Sequence, residues 1–238
     1  TDDGRILVST WDGEAYLLEN SMTGDTGPQT VTKIADGFSE PLGIVEAEGD
    51  VYVLQRWELT RLVDHDGDGI TDEYEVVAND WGATADFHEW SFGLVYRDGY
   101  FYAALGIGQG QFTEVQSPDR GSVLKIGMDG SHSIMSSGLR EPNGVGFGPK
   151  GELFSTDNEG DWLPTNKFFH VPSDEFTFYG HRGKFRGDTS HLEEKPPALW
   201  LPLTEISNSP MQPAPLHHGP YEGQMIYGDL THGGIKRV

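Results

Sequence analysis

The sequence predicts an all-β protein, a β-propeller of four-stranded blades about fifty residues long, and three observations carry that expectation. Turn residues punctuate the whole chain, with Gly 32 and Pro 14 among 238 residues, and no long stretch carries apolar residues at helical spacing. The segment Gly37-Phe38-Ser39-Glu40-Pro41-Leu42-Gly43-Ile44 returns 101 residues later as Gly138-Leu139-Arg140-Glu141-Pro142-Asn143-Gly144-Val145. Between the two copies, Phe92-Gly93-Leu94-Val95 leads to Gly99 and Phe101-Tyr102-Ala103, as Gly43 leads to Gly49 and Val51-Tyr52-Val53.

The anchor glycines Gly43, Gly93 and Gly144 are spaced by 50 and 51 residues, the period of propeller blades. Gly4-Arg5-Ile6-Leu7-Val8 and Gly223-Gln224-Met225-Ile226-Tyr227 read as weaker copies. Within a single domain, units are expected near 1–36, 37–86, 87–137 and 138–222, with a partial unit at 223–238. Residues 160–222, with Pro196-Pro197 and Pro210 to Pro215, read as a long decorated insertion. In the second unit, strands are expected at about 42–48, 51–55, 58–63 and 73–78. Such a meander puts Gln55 to Trp57 and Trp81 to His88 on one face of the disc and the 64–75 loop on the other. A propeller left open would expose strand edges. The two ends are therefore expected either to complete one blade or to belong to a larger propeller.

Lys+Arg 16 against Asp+Glu 38 gives a formal charge of -22, which repels phosphate backbones and anionic membrane surfaces. No nucleic-acid partner is expected. No apolar run is long enough to span a bilayer, and Thr1 opens without an export signal, as in a mature or trimmed chain. An acidic surface suits a secreted or periplasmic setting, where calcium is abundant. The absence of cysteine excludes disulfides, thiolate metal sites and thiol catalysis.

Asp64-x-Asp66-x-Asp68-Gly69, followed by Asp72 and Glu75, fits the twelve-residue calcium loop. Calcium takes six to eight hard oxygens, which Asp64, Asp66, Asp68, Asp72, the Ile70 carbonyl and a bidentate Glu75 would supply, while Gly69 allows the sharp turn. Strands rather than helices flank this loop. It therefore reads as a structural clamp, not as a sensor hand.

On the opposite face, polar and aromatic residues flank the repeat glycines and crowd the channel mouth, where a polar small molecule would bind. His88 is the candidate general base, and Arg56 or Arg140 would steady developing negative charge. Trp57, Trp90 and Trp162 offer stacking surfaces for sugar rings. Gly106-x-Gly108-x-Gly110 follows a strand without a following helix and reads as a flexible loop, not a dinucleotide site. No Gly-x-Ser-x-Gly elbow is present.

The stretch Glu141-Pro142-Asn143-Gly144-Val145-Gly146-Phe147 through Gly151-Glu152-Leu153-Phe154-Ser155-Thr156-Asp157-Asn158 resembles the glucose/sorbosone dehydrogenase-like propellers, the pyrroloquinoline quinone (PQQ)-dependent sugar dehydrogenases. Gln55 to Gly69 and Asp157 to Trp162 resemble a bacterial branch of putative membrane-bound dehydrogenases. That resemblance implies an oxidoreductase acting on a carbohydrate with PQQ and calcium, passing electrons to a separate acceptor such as a cytochrome. It casts His88 as the base taking a sugar hydroxyl proton, with Arg140 and Asn143 facing cofactor and substrate, and Arg56, Asp157 and Trp162 as further cofactor contacts. Pro142-Asn143-Gly144 followed by Thr156-Asp157 also resembles the gluconolactonase propellers. In that alternative, Asn143 and Asp157 would hold a catalytic calcium. A non-catalytic carbohydrate-binding propeller is the third reading.

Overall fold

The computed structural model describes residues 1, 3–22, 24, 26–86, 88–108, 117–158, 163–182 and 188–238. Among them every regular element is a strand. The first sheet holds β1 (Ile6–Ser9), β2 (Glu14–Glu19) and β3 (Thr30–Asp36), and the second β4 (Gly43–Ala47), β5 (Asp50–Leu54), β6 (Leu59–Val63) and β7 (Glu73–Ala78). The third holds β8 (Ser91–Arg97), β9 (Tyr100–Leu105), β10 (Ser122–Gly127) and β11 (His132–Ser137). The fourth starts with β12 (Pro142–Phe147), β13 (Leu153–Asp157) and β14 (Thr165–Val171). A short β15 (Thr177–Phe178) pairs in parallel with β11 at the outer edge of the third sheet, and β16 (Leu199–Pro202) completes the fourth. The fifth holds β17 (Pro210–Pro215), β18 (Met225–Asp229) and β19 (Ile235–Arg237). Apart from β15, each sheet is an antiparallel meander, and the five form a five-bladed β-propeller.

The expected strands of the second unit coincide with β4 to β7 within about one or two residues, the ordinary uncertainty of strand ends. Their periodicity is imperfect because both sheet faces are covered: Leu59, Thr60 and Leu62 are all buried. The four cores occupy the seams between successive blades. Ala15 and Ile34 meet Val53 and Leu62 in the first seam. Tyr52 and Leu54 meet Phe101 and Leu105 in the second, Val123 and Leu139 meet Val145 and Phe169 in the third, and Phe168 and Leu201 meet Met225 and Tyr227 in the fourth. Each fully buried large side chain contributes roughly 1.5–3 kcal/mol.

The repeat glycines mark the crowded centre of the disc. A Cβ on Gly43 would lie 2.8 Å from Leu94 Cβ, and one on Gly93 would lie 2.8 Å from Gly144 Cα. Gly93 and Gly144 also adopt φ of 61° and 87°, the left-handed region that disfavours side chains. The fifty-residue pattern is thus a record of inner strands converging on the axis.

Two features depart from the sequence reading. Residues 160–222 are not a single insertion, because they hold β14, β15, β16 and β17. Prolines at 210, 213 and 215 concealed β17, which is tolerated because β17 forms an edge of its sheet and needs partners on one side only. The second departure concerns β1, which ends beside the cavity where β4, β8, β12 and β17 begin, so it runs opposite to those axis strands. β1 occupies the place of a second strand in its blade, as its Gly4-Arg5-Ile6 copy of the Gly49-Asp50-Val51 pattern implies. It is only half-buried along its length, whereas β8 begins with four buried residues. A groove of about 580 Å³ lies beside it, lined by Ile6 and Leu7 of β1 and Ile44 and Val45 of β4.

Candidate functional site

The inner strands open onto a cavity of about 590 Å³ at one mouth of the channel. Trp11, Trp90 and Phe92 supply its aromatic wall. The Trp90 ring meets Trp11 at 5.5 Å and Phe92 at 5.7 Å, both edge to face. Asn143, Asn158 and Gln212 contribute amides, and Glu141 contributes a carboxylate.

Local folding fixes these groups. Asp157, at the end of β13, is fully buried and accepts the backbone N–H groups of Arg140 at 3.1 Å and Glu141 at 2.9 Å. Its carboxylate lies 3.7 Å from the equally buried Lys167 Nζ, which donates to the Tyr179 carbonyl at 2.9 Å. The Arg140 carbonyl accepts from Ile107 N, and the Glu141 carbonyl from Asn158 N. The start of β12 is therefore held by the loop after β9 as well as by β13. A Cβ at Gly106 would overlap Glu141 Oε1, so this glycine makes room for the carboxylate instead of lending the loop flexibility.

Arg120 organises the aromatic side. It is 1% exposed, and its five N–H bonds all end on backbone carbonyls, those of Gly82, Glu89, Trp90 and Arg56. Burial lowers its guanidinium to about 10, which leaves it cationic at neutral pH. The loop at Arg56 and the link 82–90 thus lie on one face, the arrangement expected from strand count.

The expected site residues divide. Asn143 lines the cavity. His88 stands behind Trp90, ring to ring at 5.1 Å, with its backbone N–H on Asp86. Arg140 Nη1 donates to the Asn158 carbonyl at 2.9 Å. Arg56 donates to the Thr84 carbonyl and lies 3.7 Å from Glu40. Asp157, expected among the cofactor contacts, is instead enclosed by β12 and β14 and serves backbone N–H groups. Trp162 lies outside the described residues. Trp57 is exposed but does not line the cavity.

Sequence reasoning placed Glu141 and Asn158 at the channel mouth, within Arg140 to Asn143 and Asp157 to Trp162, and missed Trp11, Gln212 and Arg120. Trp11 sat in a turn signal of an incomplete blade.

At the other face, Asp64, Asp66 and Asp72 bring one carboxylate oxygen each within 4.8 Å of one another. Asp64 receives the Gly67 and Gly69 N–H groups at 2.8 Å, which holds its carboxyl below the usual range. Asp68 Oδ1 accepts from Ile70 N. Glu75, the expected bidentate ligand, instead sits in the β7 ladder opposite Arg61, with which it pairs at 2.9 Å. The loop is docked on the first blade, through Thr71 N to the Ile34 carbonyl and Tyr74 Oη to the Asp36 carbonyl. Three hard oxygens in this space suit a divalent cation such as calcium.

Among solved structures, the chain is similar to a carbohydrate-active enzyme of family AA12 from Trichoderma reesei in an iodide structure, with 11% identity, TM-score 0.72, and coverage of 95% of this chain and 71% of that one. It is similar to the PQQ-bound aldose sugar dehydrogenase of Streptomyces coelicolor, with 15% identity, TM-score 0.68, and coverage of 100% and 79%. It is also similar to a gluconolactonase of Xanthomonas campestris, with 16% identity, TM-score 0.58, and coverage of 98% and 68%. At these identities the likeness is one of fold. No curated protein matches the sequence. Among the described residues no helix is long and apolar enough to cross a membrane. The family model described as Domain of unknown function (DUF7133) matches residues 15–197, most of the chain, and the protein belongs to that family.

Proposed function

We propose that the chain binds a carbohydrate at the channel mouth and acts on it oxidatively, as a sugar dehydrogenase-like propeller. The observation that carries this reading is the pairing of an edge-to-face aromatic wall, Trp11, Trp90 and Phe92, with the amides of Asn143, Asn158 and Gln212 in one cavity. Sugar rings present C–H faces to aromatic rings and hydroxyls to amides, and such mixed pockets are the usual form of small-molecule sites. His88, in contact with Trp90, is proposed as the base for a sugar hydroxyl. The fold shared with a PQQ-bound aldose sugar dehydrogenase supports the reaction class by analogy.

The quinone fits these residues poorly. PQQ is a tricarboxylate and calls for cationic donors, yet among the described residues that line the cavity none is Lys, Arg or His. A separate electron acceptor such as a cytochrome, a secreted or periplasmic setting and the membrane-bound dehydrogenase branch stand as proposals on the same reading. The lactonase alternative ranks lower, because it asks Asp157 to hold a catalytic calcium although that carboxylate is fully buried against backbone N–H groups.

Calorimetric titration of the chain with simple aldoses tests the site. Trp90→Ala is expected to weaken binding by about 2 kcal/mol, roughly thirtyfold, as for a buried aromatic anchor. Unchanged affinity would remove the cavity from the account.

Calcium is proposed for Asp64, Asp66 and Asp72, with Asp68 and the Ile70 carbonyl adjoining. Because the loop docks on the first blade, an ion there would stiffen the first seam. Calcium at about a hundred times its Kd should add about 2.7 kcal/mol, raising Tm by roughly 5–10 °C in a chain of this size. Chelator titration followed by thermal unfolding checks this, with Asp64→Asn as the variant that should no longer respond. A Tm indifferent to chelation would remove calcium from the loop.

A further inference from the structure

The channel-mouth cavity changes character from its axis to its rim. At the axis, Gln212 of β17 lies against two inner strands: a Cβ on Gly93 would come within 2.8 Å of Gln212 Oε1, and one on Gly144 within 2.8 Å of Gln212 Cβ. Asn143, next to Gly144 in the chain, adds a second amide to the lining. Outward from there the apolar lining is progressively more exposed. Phe92, adjoining Gly93, is 8% exposed, Trp90 is half-buried, and Trp11, in the turn between β1 and β2, is 54% exposed. Leu230, in the turn after β18, is 69% exposed and lines the same cavity. Exposed apolar side chains gathered round one cavity mark a binding surface, whereas scattered ones do not. The rings are also turned from one another. Trp11 and Trp90 lie 5.5 Å apart with their planes at 75°, and Trp90 and Phe92 lie 5.7 Å apart with theirs at 73°. Faces at such angles cannot lie flat on a single pyranose ring. The cavity volume of about 590 Å³ leads to the same count. At roughly 30 Å³ per water it has space for about twenty molecules, close to the heavy-atom count of a disaccharide and well above that of a hexose.

Deepening the carbohydrate reading, on which it rests, we propose that the site takes a disaccharide or the end of a longer sugar chain, with one ring among the inner amides and the next on Trp11 and Leu230. Trp11 is then the residue that sets chain-length preference. It adds affinity for the second ring and little for the first. The second ring arrives tethered, so it loses little further translational freedom, and covering roughly 55 Å² of apolar surface is enough for a tenfold gain. A tryptophan side chain offers about 150–250 Å².

Isothermal titration calorimetry of the full chain with glucose, cellobiose and maltose tests this. At least one disaccharide is expected to bind about tenfold more tightly than glucose. Trp11→Ala should cut that advantage to about twofold or less while leaving glucose affinity within about twofold of the unaltered chain, and Trp11→Phe, which keeps a ring, should retain most of it. A merely structural role for Trp11 would lower all three affinities together. Should Trp11→Ala fail to fold, Leu230→Ser at its exposed position should reduce the disaccharide advantage about threefold with glucose unaffected. Disaccharides that bind no more tightly than glucose would overturn the proposal, as would a Trp11→Ala variant that weakens glucose and disaccharides by the same factor. In both cases glucose binding leaves the carbohydrate reading standing. If none of the three sugars binds, that reading falls as well.

Discussion

Arg120→Met is expected to lower the melting temperature by roughly 6–20 °C, the largest effect of any single substitution on the site face. The guanidinium satisfies four carbonyls through five hydrogen bonds in a setting where it is 1% exposed. Methionine fills much of the volume and donates nothing, leaving the Gly82, Glu89, Trp90 and Arg56 carbonyls without that partner. Stranding even part of such a buried network costs about 3–5 kcal/mol, which in a chain of this size corresponds to about 6–20 °C. Arg120 also feels the charges of buried Glu89 and Glu141, and its loss would remove that compensation. Arg120→Lys keeps the charge but reaches fewer carbonyls with a single ammonium, so it should recover only part of the loss. Thermal unfolding followed by circular dichroism gives the stability. The edge-to-face Trp11–Trp90 pair gives a second readout in the near ultraviolet, since Trp90 hangs from one of the released carbonyls. A variant with an unaltered Tm and an unaltered aromatic signal would show that Arg120 is not what holds the link between β7 and β8.

Lys167→Met should be nearly as damaging, at about 3–5 kcal/mol, because it leaves the Asp157 carboxylate buried without its cation. The pair is fully enclosed, and the two backbone N–H groups from Arg140 and Glu141 satisfy hydrogen bonding without neutralising the charge. The double variant Lys167→Met with Asp157→Asn removes both charges and should restore much of the stability. It should not restore ligand affinity to the same degree. Asparagine keeps one oxygen for the Arg140 and Glu141 N–H groups but loses the charge that strengthens both bonds, so the start of β12, with Glu141 and Asn143, is held less firmly. Melting curves for the single and double variants form a cycle that isolates the coupling. Near-additive losses would mean that the two groups act independently, and the account of how β12 is held would then be wrong.

The blades were legible because inner strands must converge, and only glycine allows Gly93 and Gly144 to pass so closely with positive φ. The acidic loop was legible because its donors are neighbours in sequence. For Glu75 the tertiary structure adds what the motif cannot contain: the β6–β7 register sets it opposite Arg61, with which its carboxylate pairs. β17 was hidden because its prolines argue against a strand, an argument that loses force at a sheet edge. The setting of Asp157 was not legible, since a polar residue after a strand reads as a ligand, whereas in the fold it is buried and accepts backbone N–H groups.

By itself the sequence determined the local matters: the blade period, the strand spacing, the turn positions and a run of carboxylates close enough along the chain to meet. Only the tertiary structure decided the site, because its walls come from turns and strand ends tens to hundreds of residues apart, such as Trp11, Trp90, Glu141 and Gln212. Local propensity acts over a few residues, whereas the packing of one blade on the next determines which side chains share a cavity and which charges are buried.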